Sequence, residues 1–204
     1  MRFDAETLQR QIPYYLTAPS ERKAFLEELT ALSSGARKGY FMPKDSYKNT
    51  ILQGDGWSGF RVFSFEKGKC SNDEQGIVLS NSCDMSSENK RTISPKITFA
   101  PVVKLSRLRA QFERSGIEEK QIDSKLQAIR SQSVTNIFYL PKEGPLDDEH
   151  VVLLDDLHSM PVIAHQKKAT KLFTLSMAAF YLFVFKLSIH FCRLHENINR
   201  TFPS

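Results

Sequence analysis

Cysteine is scarce in this chain of 204 residues, where it occurs only as Cys70, Cys83 and Cys192. Three widely spaced cysteines without a Cys-x-x-Cys pair do not make a disulfide framework or a paired-cysteine zinc motif. The five histidines likewise lack the His-x-x-x-His and His-Glu-x-x-His spacings of metal sites. We therefore expect a protein of the reducing cytoplasm that holds no metal and no other cofactor.

Two further sequence signals are missing. The glycine-rich stretch Gly54–Gly59 lacks the lysine of a phosphate-binding loop and the glycine spacing of a dinucleotide-binding turn. The first eleven residues contain acidic side chains and no apolar segment, so no secretory leader is predicted. Neither a nucleotide-cofactor enzyme nor a secreted protein is therefore expected.

A long hydrophobic run lies near the C-terminus. Leu172–Phe185 is an uninterrupted apolar run of 14 residues, which is shorter than the ~20 residues that a helix needs to cross a bilayer. Extension to Cys192 reaches that length, but it includes Lys186 and His190, which are costly in hydrocarbon. The run favours a buried core helix and no membrane partner, while an anchor formed by residues 172–192 stays open as an alternative.

The charge of the chain is only weakly biased. It carries 28 Lys and Arg residues against 23 Asp and Glu residues, a formal net charge of +5. This excess permits a nucleic acid or another polyanion as a partner without requiring one, because solubility alone accounts for it. A hydrophobic content of 41% and a charged content of 25% are typical of a folded globular chain.

Hydrophobic periodicity divides the chain into a helical preface and a β-domain. Apolar residues recur at helical spacing within residues 1–39, and short alternating or apolar stretches predict four to six strands beyond them. The predicted β-domain, residues 40–204, contains a helical insertion at about 104–132 and a long apolar C-terminal helix at about 168–195. Strands that are interrupted by helices without regular βαβ alternation indicate the α+β class.

The most unusual polar cluster is Ser80–Asp84, which directly follows a predicted buried strand. Loops at strand ends are where a rigid scaffold displays functional groups. On this basis we predict Ser82, Cys83 and Asp84 as candidate catalytic residues. Two structural alternatives stay open, because a cysteine often serves as a small buried residue and an Asn81–Asp84 turn bonds nearby N–H groups.

A cysteine nucleophile at position 83 would need a histidine as its base. His150 and His158 are the candidates, and both lie far from Cys83 in the chain. Their distance in space cannot be read from the sequence. A cysteine hydrolase is therefore a further alternative.

Basic and aromatic residues supply candidate contacts to nucleic acid, because Lys and Arg bind phosphate and aromatic rings stack on unpaired bases. The predicted nucleic-acid-binding residues are Trp57, Lys90, Arg91, Arg107 and Arg109. Further candidates are Lys96, Arg114, Phe60 and Tyr40. The segment from Lys104 to Arg130 holds seven basic and four acidic residues, and a solvated helical hairpin is the alternative interpretation.

The order of four short motifs resembles that of the MazF/PemK-type toxins, which are small SH3-like β-barrels. The motifs are Gly54-Asp55, Val78-Leu79-Ser80-Asn81, Phe99-Ala100-Pro101 and Val151-Val152-Leu153-Leu154-Asp155. The resemblance covers about residues 52–195 and implies a barrel that binds RNA and cleaves it without a metal. The sequence Leu-Ser-Asn-Ser-Cys-Asp at residues 79–84 is also similar to a stretch in uncharacterised bacterial proteins associated with mobile elements or defence.

The chain departs from this family where a basic residue and a proline precede the strand that ends in Leu-Ser. Glu74-Gln75-Gly76 stands there, so the positive charge expected to stabilise the pentavalent phosphate is missing. The leading hypothesis is a nucleic-acid-binding barrel, with metal-independent RNA cleavage left open. The alternative is a non-catalytic module that binds another protein, and the oligomeric state is not predicted.

Overall fold

The computed structural model describes residues 19–33, 39–43, 47–64, 68–86, 92–167 and 169–192. Their helices and strands, in chain order, are α1 (Pro19–Ser33), β1 (Gly56–Ser64), β2 (Lys69–Val78), α2 (Ser82–Met85), β3 (Lys96–Lys104), α3 (Leu105–Arg114), α4 (Glu119–Arg130), β4 (Ile137–Leu140), β5 (His150–Leu153), β6 (His158–Pro161), α5 (Val162–Gln166), β7 (Lys171–Phe173) and α6 (Met177–Cys192). Lys90, Arg91 and the part of the predicted helical preface before residue 19 lie outside the described residues. The predicted domain boundaries stay a prediction.

The seven strands form one antiparallel sheet, which together with the helices confirms the α+β class. The strand order is β4-β5-β3-β2-β1-β7, and β6 also pairs with β3. β5 pairs with the end of β3 at Lys104, and β6 pairs with its beginning at Lys96. β2 pairs with the middle of β3, from Phe99 to Pro101. β3 is therefore the central strand, and its Lys96 end lies beside the end of β2.

The sheet is not closed into a barrel, so the predicted closure of an SH3-like barrel is wrong. The last strand, β7, pairs with β1 only at Gly56 and Trp57. α6 packs on the sheet instead, because Ala179, Leu182 and Phe183 share one core cluster with buried residues of β2, β3, β4 and β5. The helix covers the apolar face that a closed barrel would bury against itself, and helix-on-sheet packing is an equally stable solution.

The same core cluster joins the first and last described helices. Leu29 and Leu32 of α1 are buried in it together with α6, as expected for two helices that each bury an apolar face. α6 spans 16 residues and is largely buried, as the sequence predicted for a core helix. Within the described part of the chain, no helix has both the length and the apolar character needed to cross a membrane.

Two smaller clusters complete the packing. One of them centres on Phe60, whose ring stacks on Phe99 at 3.9 Å and on His165 at 4.3 Å between ring centroids. The other buries the hairpin of α3 and α4 against β4 and β5 through side chains that include Ile122 and Leu126. These positions recur four residues apart, which is the spacing of one helix face.

Candidate functional site

The turn after β2 is built from local hydrogen bonds. Asn81 is the N-terminal capping residue of α2, and its Oδ1 accepts the Cys83 N–H at 2.9 Å. The Asp84 N–H donates to the Asn81 carbonyl at 3.0 Å. A side-chain oxygen at this position satisfies an otherwise unpaired N–H group of the first helical turn, which is why Asn follows the strand here. Asn81 therefore has the turn-forming role that the sequence left open.

Ser82 ties this turn to the Gly54-Asp55 turn before β1. Its Oγ accepts the backbone N–H of Gln53 at 2.9 Å. The Gln53 Nε2 group donates in turn to the Leu79 carbonyl at 2.7 Å. These two bonds connect chain segments that are far apart in sequence and hold them in one arrangement. The hydroxyl of Ser82 thus has a structural hydrogen bond that the sequence did not predict.

Ser80 connects the same turn to β3. Its Oγ accepts the Thr98 N–H at 2.7 Å, and its hydroxyl donates to the Lys96 carbonyl at 3.4 Å. The Leu79 N–H also donates to the Thr98 carbonyl at 2.8 Å. The turn after β2 is therefore held firmly beside the first residues of β3.

Between these segments lies an open groove of about 600 Å³. One wall contains Ser80, Asn81 and Asp84, and the other is formed by the segment 92–96. This volume falls within the range of about 300–1,000 Å³ that is usual for small-molecule sites. The groove brings part of the predicted polar cluster next to the basic side chain of Lys96.

The second wall of the groove combines polar and apolar side chains. Lys96 is exposed, and Ile93 is 80% exposed although it is apolar. Pro95 lies between them, and the hydroxyl residues Thr92 and Ser94 complete the lining. The sequence showed this segment only as the end of a polar loop. Only the fold shows that it lines the same groove as Asp84.

Cys83 and Asp84 are both exposed at this turn. His150 lies elsewhere, because it pairs with Lys104 at the far end of β3, about 27 Å along the strand from Lys96. Its Nδ1 lies 2.9 Å from the Asp148 carbonyl oxygen. The structure therefore does not bring His150 to Cys83.

His158 lies on the other edge of β3 from β2. It pairs with Phe99, stacks on that ring at 5.6 Å between centroids, and places Nε2 at 3.0 Å from Asp156 Oδ1. Its described contacts thus belong to β6 and to the aromatic cluster. The groove beside the turn is therefore considered as a candidate binding site.

The aromatic candidates for base stacking are buried, which corrects the predicted role of Trp57. Its side chain is 6% exposed and packs edge-on to His165 at 5.7 Å between ring centroids. Phe60 and Tyr40 are 0% and 3% exposed. A ring must present a face to solvent in order to stack on a base, and these rings are covered by core residues.

Two basic candidates of the helical insertion, Arg109 and Arg107, differ in their contacts with acidic side chains. Arg109 donates to Glu113 at 3.0 Å and to Asp123 at 3.3 Å, and it also contacts Glu119. The pKa of Arg109 is raised, and the negative charge of Glu119 is the main cause. This guanidinium joins α3 to α4 and is already surrounded by carboxylates. Arg107 is exposed and forms no hydrogen bond or ion pair within the described residues.

A buried ion pair that the sequence did not reveal lies behind β1. Lys171 Nζ is 2.9 Å from Asp55 Oδ2, and the two side chains are 6% and 1% exposed. Burial raises the pKa of Asp55, and the hydrogen bond from Lys171 opposes that increase. Lys171 also donates to the carbonyl groups of Tyr47 and Thr50. The Gly54-Asp55 motif therefore anchors a turn, and only the fold reveals its partner.

In the ranges that the structure describes, no three His, Cys, Asp or Glu side chains lie close enough to hold a metal ion. No protein-family model matches this chain. No curated protein matches it either. The function of the groove therefore has to be inferred from its own residues and contacts.

Proposed function

We propose that the groove beside α2 binds single-stranded nucleic acid, with RNA as the first candidate. One observation carries the proposal: the exposed residues Lys96, Asn81 and Asp84 line one groove together with hydroxyl residues. A cation paired with side-chain donors and acceptors is the set of groups that phosphate and base edges require. The net charge of +5 favours the same partner.

Lys96 is the proposed phosphate contact. It is exposed and forms no ion pair within the described part of the chain. Its backbone is fixed by pairing with Pro161 of β6 and by the hydroxyl of Ser80. A cation on such a rigid strand end can bind an anion without first ordering its own backbone. Arg107 is a second exposed cation, and it lies on the helical insertion.

The relation to the MazF/PemK-type toxins belongs to this proposal as well. We propose that β1, β2, β3 and β6 correspond to part of an SH3-like barrel that has remained open. Their antiparallel pairing and the irregular register of β1 near Phe60 support it, because bulges of this kind bend strands in small barrels. RNA cleavage by Cys83, Asp84 and Ser82 is the activity to be tested in that relation.

Binding is tested by fluorescence anisotropy with a labelled single-stranded RNA of mixed sequence and about twelve nucleotides. We expect the association constant to fall steeply between about 50 and 200 mM salt, because each phosphate contact releases counterions. Lys96→Gln should flatten the slope of log K against log salt by about 0.7. The control is Lys142→Gln, which removes an equal exposed charge outside the groove. An affinity that does not depend on salt, or equal slopes for both variants, would contradict the proposal.

Cleavage is tested separately by incubating end-labelled RNA with the protein in the absence of added metal and analysing it on a denaturing gel. Fragments that disappear with Cys83→Ala or Asp84→Ala would assign a ribonuclease site to the turn. Intact RNA together with salt-dependent binding would leave a binding protein without this activity.

A protein-binding module is the second candidate. The observation that favours it is the exposure of Ile93 and Ile163, at 80% and 68%. Their segments adjoin, because the Val162 N–H donates to the Pro95 carbonyl at 3.1 Å. Exposed apolar residues that lie close together are typical of contacts between proteins. Substitution of Ile163, which lies outside the groove lining, by serine should leave RNA binding unchanged if this surface serves a separate protein partner.

A further inference from the structure

The carboxylate of Asp84 carries the same sign of charge as a phosphate group, so phosphate binding alone does not explain its presence in the groove. Asp84 is exposed and lies in the same lining as Lys96. Exposed charges closer than the Debye length of about 8 Å are only partly screened at physiological salt, so a carboxylate disfavours a phosphate group placed next to it. An exposed carboxylate accepts hydrogen bonds, and the donors of a nucleic acid are on its bases and its sugar hydroxyls.

Asn81 presents the complementary group. Its Oδ1 accepts the Cys83 N–H, so the acceptor end of the amide is held by the backbone of α2. The NH₂ group at the other end of the same amide is a double donor. Because Asn81 and Asp84 lie in one wall of the groove, the wall presents an acceptor and a donor close together on one short turn.

We propose that this wall recognises the base of a guanine nucleotide in single-stranded RNA, an inference that rests on the proposed RNA-binding function. The Watson–Crick edge of guanine has two adjacent donors, at N1 and N2, which a carboxylate accepts side by side. The neighbouring O6 is an acceptor, and the NH₂ group of Asn81 is the donor that suits it. A carboxylate accepts up to about four hydrogen bonds, and Asp84 is exposed, so it can accept from a ligand in addition to its contacts within the protein.

The opposite wall suits the rest of such a nucleotide. Ile93 and Pro95 supply an apolar surface against which the plane of a base can pack. Lys96 follows directly after them and is the proposed contact to the adjacent phosphate. The groove thus separates the charges of the protein, with the carboxylate at the base edge and the ammonium at the phosphate.

The other bases fit this wall less well. Uracil has a single donor between two carbonyl oxygens, and both oxygens would face the carboxylate. Adenine and cytosine each offer one amino group to Asp84, without a second donor beside it. The expected order of affinity is therefore guanine first, adenine and cytosine next, and uracil last.

The test uses uridine oligonucleotides of about eight residues with guanine, adenine, cytosine or uracil at one central position. Anisotropy titrations with the full chain should show that the guanine oligonucleotide binds about tenfold more tightly than the uracil one, the discrimination expected from one bidentate contact. Asp84→Asn, which keeps the size of the side chain, should reduce this ratio to below about threefold. The matched control is Asp147→Asn, because Asp147 is exposed and lies near the Lys104 end of β3.

The outcomes separate this inference from the function on which it rests. Equal, salt-dependent binding of all four oligonucleotides would overturn guanine recognition and leave RNA binding intact. A guanine preference that survives in Asp84→Asn would also overturn it. No binding of any oligonucleotide by the folded protein would overturn both proposals. Circular dichroism of each variant confirms that the protein compared is folded.

Discussion

The clearest prediction from the structure concerns the buried amine of Lys186 on α6. Lys186 is 2% exposed, and its Nζ donates to Gln132 Oε1 at 3.0 Å and to the Ile137 carbonyl. No carboxylate pairs with it among the described residues. Burial without an opposite charge disfavours the protonated amine, and it lowers the pKa of Lys186 to about 7.

The sign of the pH effect follows from the two states of the chain. The unfolded chain has a lysine pKa of about 10.4, whereas the folded value is about 7. Between these values the unfolded state binds a proton that the folded state does not bind. The free energy of unfolding therefore rises with pH by up to about 1.4 kcal/mol per pH unit. Between about pH 7.5 and 9.5 the contribution of Lys186 to the free energy of unfolding therefore rises by about 2 kcal/mol. Below pH 7 its contribution no longer changes with pH, because both states bind the proton.

The assay is urea denaturation from about pH 6.5 to 9.5 for the natural chain and for Lys186→Met, which fills a similar volume without charge. The slope of stability against pH should be lower in Lys186→Met. Loss of the hydrogen bond to the Ile137 carbonyl costs about 1 kcal/mol at every pH, so it displaces the curve without changing its slope. Lys120→Met is the control, since Lys120 is exposed.

Other titrating groups near Lys186 do not imitate this effect. Tyr40 and Tyr139 both contact Gln132, and burial raises the pKa of Tyr40 to about 12 and also raises that of Tyr139. Both phenols therefore stay neutral throughout the assay. Equal slopes for the natural chain and Lys186→Met would refute the reasoning, because they would show that the amine stays protonated in the folded protein.

Two further predictions concern packing and the candidate site. Gly56→Ala should lower the free energy of unfolding by about 1–3 kcal/mol, because an added Cβ would overlap the ring of Phe173; unchanged thermal denaturation would contradict this. Ser82→Ala should cost about 1 kcal/mol by removing the acceptor of the Gln53 N–H. Ser82→Thr, which keeps the hydroxyl, should recover most of that loss. Equal free energies of unfolding for Ser82→Ala and Ser82→Thr would show that the hydrogen bond contributes nothing.

Some parts of the fold follow from local pattern alone. Ile122, Leu126 and Ile129 recur at the spacing of one helix face, and all three are buried in α4. The apolar run from Leu172 predicted a core helix from about residue 168, and its part from Met177 forms α6; the predicted start is wrong, because Lys171–Phe173 pair with β1 as β7. In such segments the period of the apolar residues determines which face is buried, because successive turns of a helix repeat every 3.6 residues.

The site could be predicted only in part. The sequence placed a polar turn at the end of β2, and that turn is where the groove lies. It did not show that Ser82 is bound by Gln53, because a hydrogen bond between distant segments leaves no periodic signal. Trp57 looked available for stacking, since the sequence does not say on which side of β1 the other elements pack.

The sequence by itself determined the α+β class, the helical insertion after β3, an apolar C-terminal helix and the polar character of the turn at Ser80–Asp84. The tertiary structure alone decided that the sheet stays open, that Asp55 pairs with Lys171, and that Lys96 and the turn line one groove. The physical reason is the range of the interactions. Helix and turn preferences arise between neighbours in the chain, whereas sheet closure, burial of charge and the shape of a groove depend on which distant segments pack together.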